Sequence, residues 1–535
     1  MVDHHDADMT AATITSAATP AQRPAGPAAL AGAVAAALAL GISELLAGIL
    51  PGATSLVAAV GQVVIDLQPP GAKDLVVALF GINDKLALEL FVAGVAVSIG
   101  GVLGVLARRS FVIAQAGFIA FGLVGILASL GDPLANPAMV AASVALAVGI
   151  ALHILGRLLG TAAAVDARRD APATNETMPS PARRSFLLQS AGFGAAAVVA
   201  GLAGRSLLER SSSAPDGAAA DLPPASDVVA PVATGQDLAP GIAGLTPIVV
   251  PNDSFYRIDT ALLVPDVDVA NWRLRIHGLV DRETTLTFDE LVGLPMFEQY
   301  VTIACVSNEV GGGLVGNAKW TGVRLRDVLA LAGVQANATQ LVGRGIGDSF
   351  SAGMPMAWVM DPAREPMIAV QMNDEPLPPR HGYPARLIIP GLYGYVSATK
   401  WLTDLEITTW EAFDGYWIPL GWAKEGPILT QARIDTPTRD VAAGRVPIAG
   451  VAWASDRGIS KVEVAVDGEW REAELSSPIS DTTWVQWVLR WDATPGQHVI
   501  TVRATDGDGV LQEVLSSPPA PDGARGWHER RIRVG

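Results

Sequence analysis

The sequence predicts three structural classes in one chain. These are an N-terminal α-helical membrane region of about five spans, a middle α+β domain, and a C-terminal all-β immunoglobulin-like sandwich. Three observations carry this. Half of the 535 residues are hydrophobic and the mean hydropathy is +0.35, too apolar for an ordinary soluble enzyme. Five apolar stretches, at 28–50, 86–107, 111–131, 137–160 and 185–204, each approach the ~20 residues that cross a bilayer as a helix. Past residue 245 short strand-like runs alternate with short helices, and past 426 strict two-residue alternation takes over.

Composition excludes several functions. A net charge of −16 argues against nucleic acid as a partner, which would call for a basic face. The single cysteine, Cys305, rules out intrachain disulfides, iron–sulfur clusters and all-cysteine zinc sites.

In chain order, residues 1–27 are polar and rich in Ala, Thr and Pro, which predicts an unfolded segment. His4 and His5 within it are too isolated for a metal site. The four-helix membrane region occupies 28–160. Its first two spans are separated by a piece broken at Pro51, Pro69, Pro70 and Gly71, read as interfacial or re-entrant. Arg108 and Arg109 lie between spans two and three. Arg157, Arg168 and Arg169 sit at the end of span four and in the loop 161–184 that follows. The positive-inside rule then places the N-terminus and these loops in the cytoplasm and everything after about 205 outside. Arg183 and Arg184, in PARRSFLLQ before the fifth span 185–204, resemble a twin-arginine export signal; a simple positively flanked anchor reads the same way.

A bis-histidine haem needs two facing imidazoles, and the first four spans hold only His153, so haem is rejected there. His153, Glu44 and Asp66 are read as polar residues facing the bundle, and a quinone site stays open. Residues 205–244, containing SSSAPDGAAADLPPAS, read as a linker. The next domain spans 245–425, with strand-like runs at 272–280, 385–393 and 402–410 and a helix at 325–334. From 426 to 535, Val462, Val464 and Val466 fall on one strand face, and Trp453, Trp470, Trp484, Trp487 and Trp491 are core or interface anchors.

The chemistry must come from the middle domain. Cys305 ends an apolar run and opens into a loop with Gly311, Gly312, Gly313 and Gly316. Thiolate suits a redox metal, but a lone cysteine read alone is usually a packing residue, and that reading is favoured on this stretch by itself. Elsewhere PNDSFYRIDT (251–260), GRGIGDSF (343–350), HGYPARLIIP (381–390) and YGYVSATKW (393–401) bring Arg, Lys, Ser and Thr to loops, equipment that holds a phosphate and a polar heterocycle.

The order of these pieces resembles the sulfite oxidase family of molybdopterin-dependent oxidoreductases. The resemblance rests on Cys305 and Asn308, GNAKWTGVRLRDVL (316–329), MNDEPLPPRHGYPAR (372–386) and Lys400–Trp401, and covers about 250–425. It implies an α+β domain of sulfite-oxidase type whose cofactor is molybdenum–molybdopterin, with Cys305 as the metal's thiolate ligand. It also implies that Asn252, Phe255, Tyr256, Asn308, His381, Arg386, Ser397, Ala398, Thr399 and Lys400 hold the pterin and its phosphate. Arg257 would face the substrate oxyanion as a catalytic residue, and the sandwich would form a homodimer. The chain departs from sulfite-oxidising members at three points. Val310 replaces an arginine, Phe350 replaces an active-site tyrosine, and the arginine before the KW pair is missing. These replacements fit a less charged substrate, such as a sulfoxide.

The sequence thus reads as a multi-pass cell-membrane oxidoreductase with an extracytoplasmic catalytic domain. It would transfer oxygen on a small substrate and exchange electrons with a separate cytochrome or quinone-linked partner. Two other readings stand beside it: a non-catalytic membrane-tethered binding module, and a redox or transport unit built from the first four spans.

Overall fold

The computed structural model describes residues 25–67, 84–132, 134–169, 181–211, 222–348 and 350–535. The expectation of an unfolded segment at 1–27, including His4 and His5, lies almost wholly outside these residues, as does the side chain of Asp66. Two compact units emerge: one of Met1–Ser43, Phe91–Val124 and Val144–Gly201, the other of Glu44–Leu90, Gly125–Ser143 and Leu202–Gly535.

Among the described residues, five helices are long and apolar enough to cross a membrane: Gly26–Ile49, Asp84–Ala107, Phe111–Ser129, Pro137–Arg169 and Pro181–Ser211. Lipid supplies no hydrophobic drive for helices to associate, so close approach of small residues must do so. In the first unit Ala31, Ala35, Ala114 and Ala151 are fully buried. A Cβ on Gly32 would stand 2.1 Å from the carbonyl oxygen of Gly100, so this crossing admits only glycine. The outward faces are apolar too, with Phe91, Val112, Leu127 and Leu202 exposed. His153 does not face the bundle as expected; its side chain is exposed on Pro137–Arg169, because neighbouring Ala151, Ile154 and Leu155 take the packed face.

Within the second unit the piece after the first span contains a helix, Leu56–Asp66, capped by Ser55, whose Oγ accepts from the Ala58 amide and donates to Glu44. Glu44 therefore supports a cap.

The middle domain is built on two sheets. One orders β3 (Met296–Ala304), β4 (Val315–Arg324), β7 (Met367–Met372) and β8 (Glu375–Pro376), with β9 (Arg386–Ile388) pairing β7. The other orders β2 (Thr284–Thr287), β1 (Arg273–Gly278), β10 (Leu402–Thr408), β5 (Gln340–Gly345) and β6 (Ser351–Pro355), with β1 and β10 parallel. The apolar run of β3 is buried almost throughout, against Trp320, Val323, Leu325 and Leu329. The helix expected over 325–334 covers only Leu325–Ala330. The carbonyls of Ala332 and Gly333 accept from Arg282 and Asp281, and this tertiary pairing ends it. The run 385–393 gives only the three residues of β9, since Pro390 cannot continue a ladder.

Residues 205–244 are not a tether throughout. The last membrane helix runs on to Ser211, and ordered chain is present from Leu222, not first near Leu245. Ser226 donates to the Met296 carbonyl and Asp227 bridges Phe297, so the segment covers the open edge of β3. Its apolar residues are too sparse among prolines to show a period.

The C-terminal part holds two four-stranded sheets. The first orders β11 (Gln431–Thr436), β12 (Gly444–Trp453), β16 (Val485–Ala493) and β15 (Glu474–Leu475). The second orders β14 (Glu469–Glu472), β13 (Ile459–Val466), β17 (Gly496–Asp506) and β18 (His528–Val534). Val462, Val464 and Val466 do share the core with Trp487 and Trp491. Trp453 and Trp484 instead join the core of the middle domain. The Trp484 indole donates to the Ile248 carbonyl (2.8 Å), and its amide donates to Thr302 Oγ1 (2.8 Å). Trp484→Ala is expected to cost about 3–5 kcal/mol and to lower the melting of both domains together; calorimetry of the detergent-solubilised protein reads it.

Candidate functional site

Cys305 is the first residue past β3 and is buried. Its amide donates to the Leu314 carbonyl (2.9 Å), its carbonyl accepts from the Asn308 amide (3.1 Å), and Asn308 Oδ1 accepts from the Leu314 amide (2.8 Å). These bonds close the loop that returns to β4. The loop turns at Gly311, whose φ of +76° suits glycine, and a Cβ there would stand 2.4 Å from the His528 ring. Arg433 of β11 donates to the Gly312 carbonyl (3.0 Å).

Beside this loop lies an aromatic cluster. Phe255 stacks on Tyr256 (5.3 Å between centroids) and meets Trp320 (6.1 Å) and His381 (5.7 Å) edge-on. Asn252 donates to the Met372 carbonyl and Glu375, and accepts from Asn373. Its own carbonyl lies 2.9 Å from His381 Nε2. A carbonyl only accepts, so Nε2 carries the hydrogen and Nδ1 is the ring's acceptor. Burial, with the Lys400 charge behind it, holds the His381 pKa down to about 3. Burial pushes the Tyr256 phenol far up, with the neighbouring Cys305 raising it further and Arg386 opposing.

Arg386 donates to the His381 carbonyl (3.0 Å), and its guanidinium lies 5.0 Å from the centre of the Trp320 ring. Its Nε is buried without a partner. Burial pulls its pKa to about 10, and no carboxylate is among the groups acting on it. It therefore stays a cation at neutral pH.

A second set of cations surrounds Asp259. This carboxylate accepts from Lys400 (3.0 Å), Arg257 (2.9 Å) and Lys85 (2.5 Å). Lys400, Lys85 and Arg257 together hold its pKa far below the carboxylate range against the opposing effect of burial. Burial brings Lys400 down to about 8, with Asp259 opposing. Arg257 Nη2 is buried without a partner. Next to this set is a cleft of ≈ 650 Å³ lined by Asn252, Asp253, Asn373, Glu375 and Arg380, among others.

Spare buried donors on two guanidiniums fit an anionic, polar group better than a neutral one. Among the described residues no three His, Cys, Asp or Glu side chains could together hold a metal ion. A metal bound here would need one thiolate and a ligand-bearing cofactor.

Residues 261–417 match the family model for the oxidoreductase molybdopterin binding domain. Human mitochondrial sulfite oxidase is 30% identical over 339 residues, 54% of this chain and 62% of that protein. The chain thus carries a molybdopterin-binding oxidoreductase domain and is similar to sulfite oxidases over about half its length. Nitrate reductase [NADH] 1 of Oryza sativa subsp. japonica is 30% identical over 313 residues, covering 45% of this chain and 34% of that one. The sulfane dehydrogenase SoxCD from Paracoccus pantotrophus, a solved structure, is 24% identical over 53% of this chain and 81% of that chain, at a TM-score of 0.47. The chain spans less than two thirds of the length of these curated relatives. The matched domain and these relatives imply molybdenum–molybdopterin as the cofactor, and the spare donors of Arg386 and Arg257 fit an anionic, polar group.

In this sulfite-oxidase-type domain, Asn252, Phe255, Tyr256, His381 and Arg386 form one cluster, and Arg257 and Lys400 meet at Asp259. Other expected cofactor residues are differently engaged. Asn308 closes its loop. Ser397 Oγ donates to the Leu392 and Tyr393 carbonyls, and Thr399 Oγ1 to the Gly343 carbonyl, which leaves backbone, including that of Ala398, as the main resource of that turn. Val310 lies half-buried in the Cys305 loop, and Phe350 packs against Tyr416 (6.1 Å). The residues that sequence reasoning missed are Asp259 and Lys85. Asp259 stood in a quoted motif two places after Arg257, a spacing that could have flagged it.

Asp259 is depressed in the folded state, so its contribution is complete above about pH 4 and is lost as the pH falls further. Asp259→Asn should cost about 3–5 kcal/mol at pH 7, with the gap to wild type narrowing below pH 4 in thermal melts. His381 should stay neutral and protonated on Nε2 at pH 5, where an ordinary histidine is mostly cationic; nitrogen NMR of labelled histidine distinguishes the two.

Proposed function

We propose that the chain is a membrane-anchored oxidoreductase that moves an oxygen atom to or from a small extracytoplasmic substrate and exchanges the two electrons with a separate carrier, which accepts them when the substrate is oxidised and supplies them when it is reduced. One observation carries the reading: the buried Cys305 opens a loop beside the aromatic cluster in which the buried Arg386 guanidinium, 5.0 Å from the Trp320 ring, keeps an unpartnered Nε. A thiol and a cation with a spare donor, packed around one aromatic cluster, equip a pocket for a metal-bearing anionic cofactor.

When bound, the molybdenum supplies a two-electron change coupled to oxygen-atom exchange. Cys305 is its thiolate ligand in this proposal. Arg386 and Lys400 hold the cofactor's negative charge, and the buried setting of Arg386 strengthens the attraction. His381, fixed by the Asn252 carbonyl, presents an acceptor at Nδ1. Tyr256 stays protonated and keeps a phenol donor at the site. Phe255 walls the pterin, with Asn308 and the Ser397–Ala398–Thr399 turn shaping its surroundings. Arg257, its Nη2 unspent, faces the substrate oxygen. With Val310 and Phe350 where sulfite-oxidising relatives carry an arginine and a tyrosine, the reading favours a less charged substrate such as a sulfoxide.

The membrane arrangement follows the charges. Arg108 and Arg109, both exposed, lie in the cytoplasm, and the catalytic domain lies outside. The helix ends near 49, 84, 129, 137 and 208 belong to the same compact unit as the catalytic domain, which supports an odd number of spans with an inside N-terminus. The C-terminal sheets form an immunoglobulin-like sandwich that serves dimerisation, and the electron partner is a cytochrome or a quinone-linked protein.

Molybdenum analysis and pterin fluorescence of protein matured with molybdate test the proposal, and the absence of both from wild type sinks it. Cys305→Ser should abolish turnover with circular dichroism unchanged. Val310→Arg should improve sulfite turnover relative to a sulfoxide by about tenfold, read as the ratio of kcat/KM values.

A further inference from the structure

Lys85 opens the membrane-spanning helix Asp84–Ala107, yet its ammonium ends in the catalytic domain. It donates to Asp259 Oδ1 (2.5 Å) and to the Ala261 carbonyl (2.7 Å). The other oxygen of Asp259 accepts from Arg257 and Lys400, so one carboxylate ties a membrane helix to both of these residues. A second contact lies at Leu262, three residues after Asp259. Leu262 is buried, and a Cβ built on Gly61, in the helix Leu56–Asp66, would meet both Leu262 (2.8 Å) and Leu88 (3.8 Å). The stretch 259–262 is thus gripped by a charge and by packing, both supplied from segments that flank membrane spans.

Resting on the reading above, we propose that Lys85 is a positioning residue of the cofactor site, through which the membrane region sets the placement of Asp259 and hence of Arg257 and Lys400. The physical reason is charge balance. Asp259 is almost fully buried and is surrounded by cations, and each fixes the direction of the oxygen it uses. Without Lys85, Oδ1 has lost its ammonium donor, and the carboxylate is free to rotate toward the two cations on its other side. Both would then shift from the geometry that presents Arg257 Nη2 and the Lys400 ammonium to the pocket. The membrane helices are therefore part of the site's construction and not only an anchor.

The full-length protein, solubilised in detergent, tests this with Lys85→Met, Lys85→Arg and a control, Arg205→Met. The control breaks the pair (2.9 Å) between Arg205, on Pro181–Ser211, and Glu89, on the helix that carries Lys85, without touching Asp259. Two readouts are taken: the rate of pterin loss on dilution, followed by fluorescence, and amide hydrogen exchange over 255–262. Lys85→Met should speed both by about tenfold. Lys85→Arg should restore both to near wild type, because its guanidinium still reaches a carboxylate and a carbonyl. Arg205→Met should leave both at wild-type values. Unchanged rates in Lys85→Met, or equal acceleration in Arg205→Met, overturn the proposal. If wild type itself carries no pterin, the functional reading fails separately, and the exchange measurement on the apoprotein decides the role of Lys85 in the same way.

Discussion

The middle domain buries positive charge at two places, and its arrangement follows from what compensates that charge. Desolvating a guanidinium or ammonium costs several kcal/mol unless something compensates it. Two solutions appear side by side. Arg386 is compensated weakly, by one carbonyl and the face of Trp320, and so keeps a donor in reserve. Lys400 and Arg257 are compensated strongly, by Asp259. The first arrangement leaves a buried donor available to an anion, and the second holds its cations in place.

The thiol side of the pocket depends on a different part of the chain. The Cys305 loop is closed by Asn308 and is held from the C-terminal sheets by Arg433 and His528. Burial and the nearby Arg530 and Arg433 keep His528 neutral, with its pKa near 4. Its Nδ1 accepts from the Ile434 amide, which fixes the ring under Gly311. Trp484 joins the same two domains through Ile248 and Thr302. The C-terminal sheets are thus a structural wall of the site. The membrane-flanking segments meet the opposite set of residues, at Asp259 and Leu262. Residues from regions far apart in sequence therefore meet the Cys305 loop and Asp259.

Much of this was legible in the sequence. The five apolar stretches give helices because a bilayer demands an apolar surface of fixed length, and length and hydropathy are local properties. The strands at 272–280 and 402–410 and the alternation of β13 show their period directly. The cluster of Asn252, Phe255, Tyr256, His381 and Arg386 was signalled by motifs of fixed residue type. Less legible were the ends of elements. The helix at 325 stops early because Asp281 and Arg282 claim its carbonyls, and residues 222–244 are ordered because an open strand edge needs a cover. Both outcomes depend on partners distant in the chain.

What the sequence by itself determined is the class of each region and the chemical types present at the site: one thiol, a buried histidine, and several cations on loops. Spacing and hydropathy suffice for these. Only the tertiary structure decided which groups meet. It spent Asn308, Ser397 and Thr399 on backbone, left Arg386 without a carboxylate, and turned His153 outward. It also brought Lys85 across 174 residues to Asp259. Ion pairs and hydrogen bonds act over a few ångströms of space and leave no period in the chain, so their partners become known only once the fold has placed them.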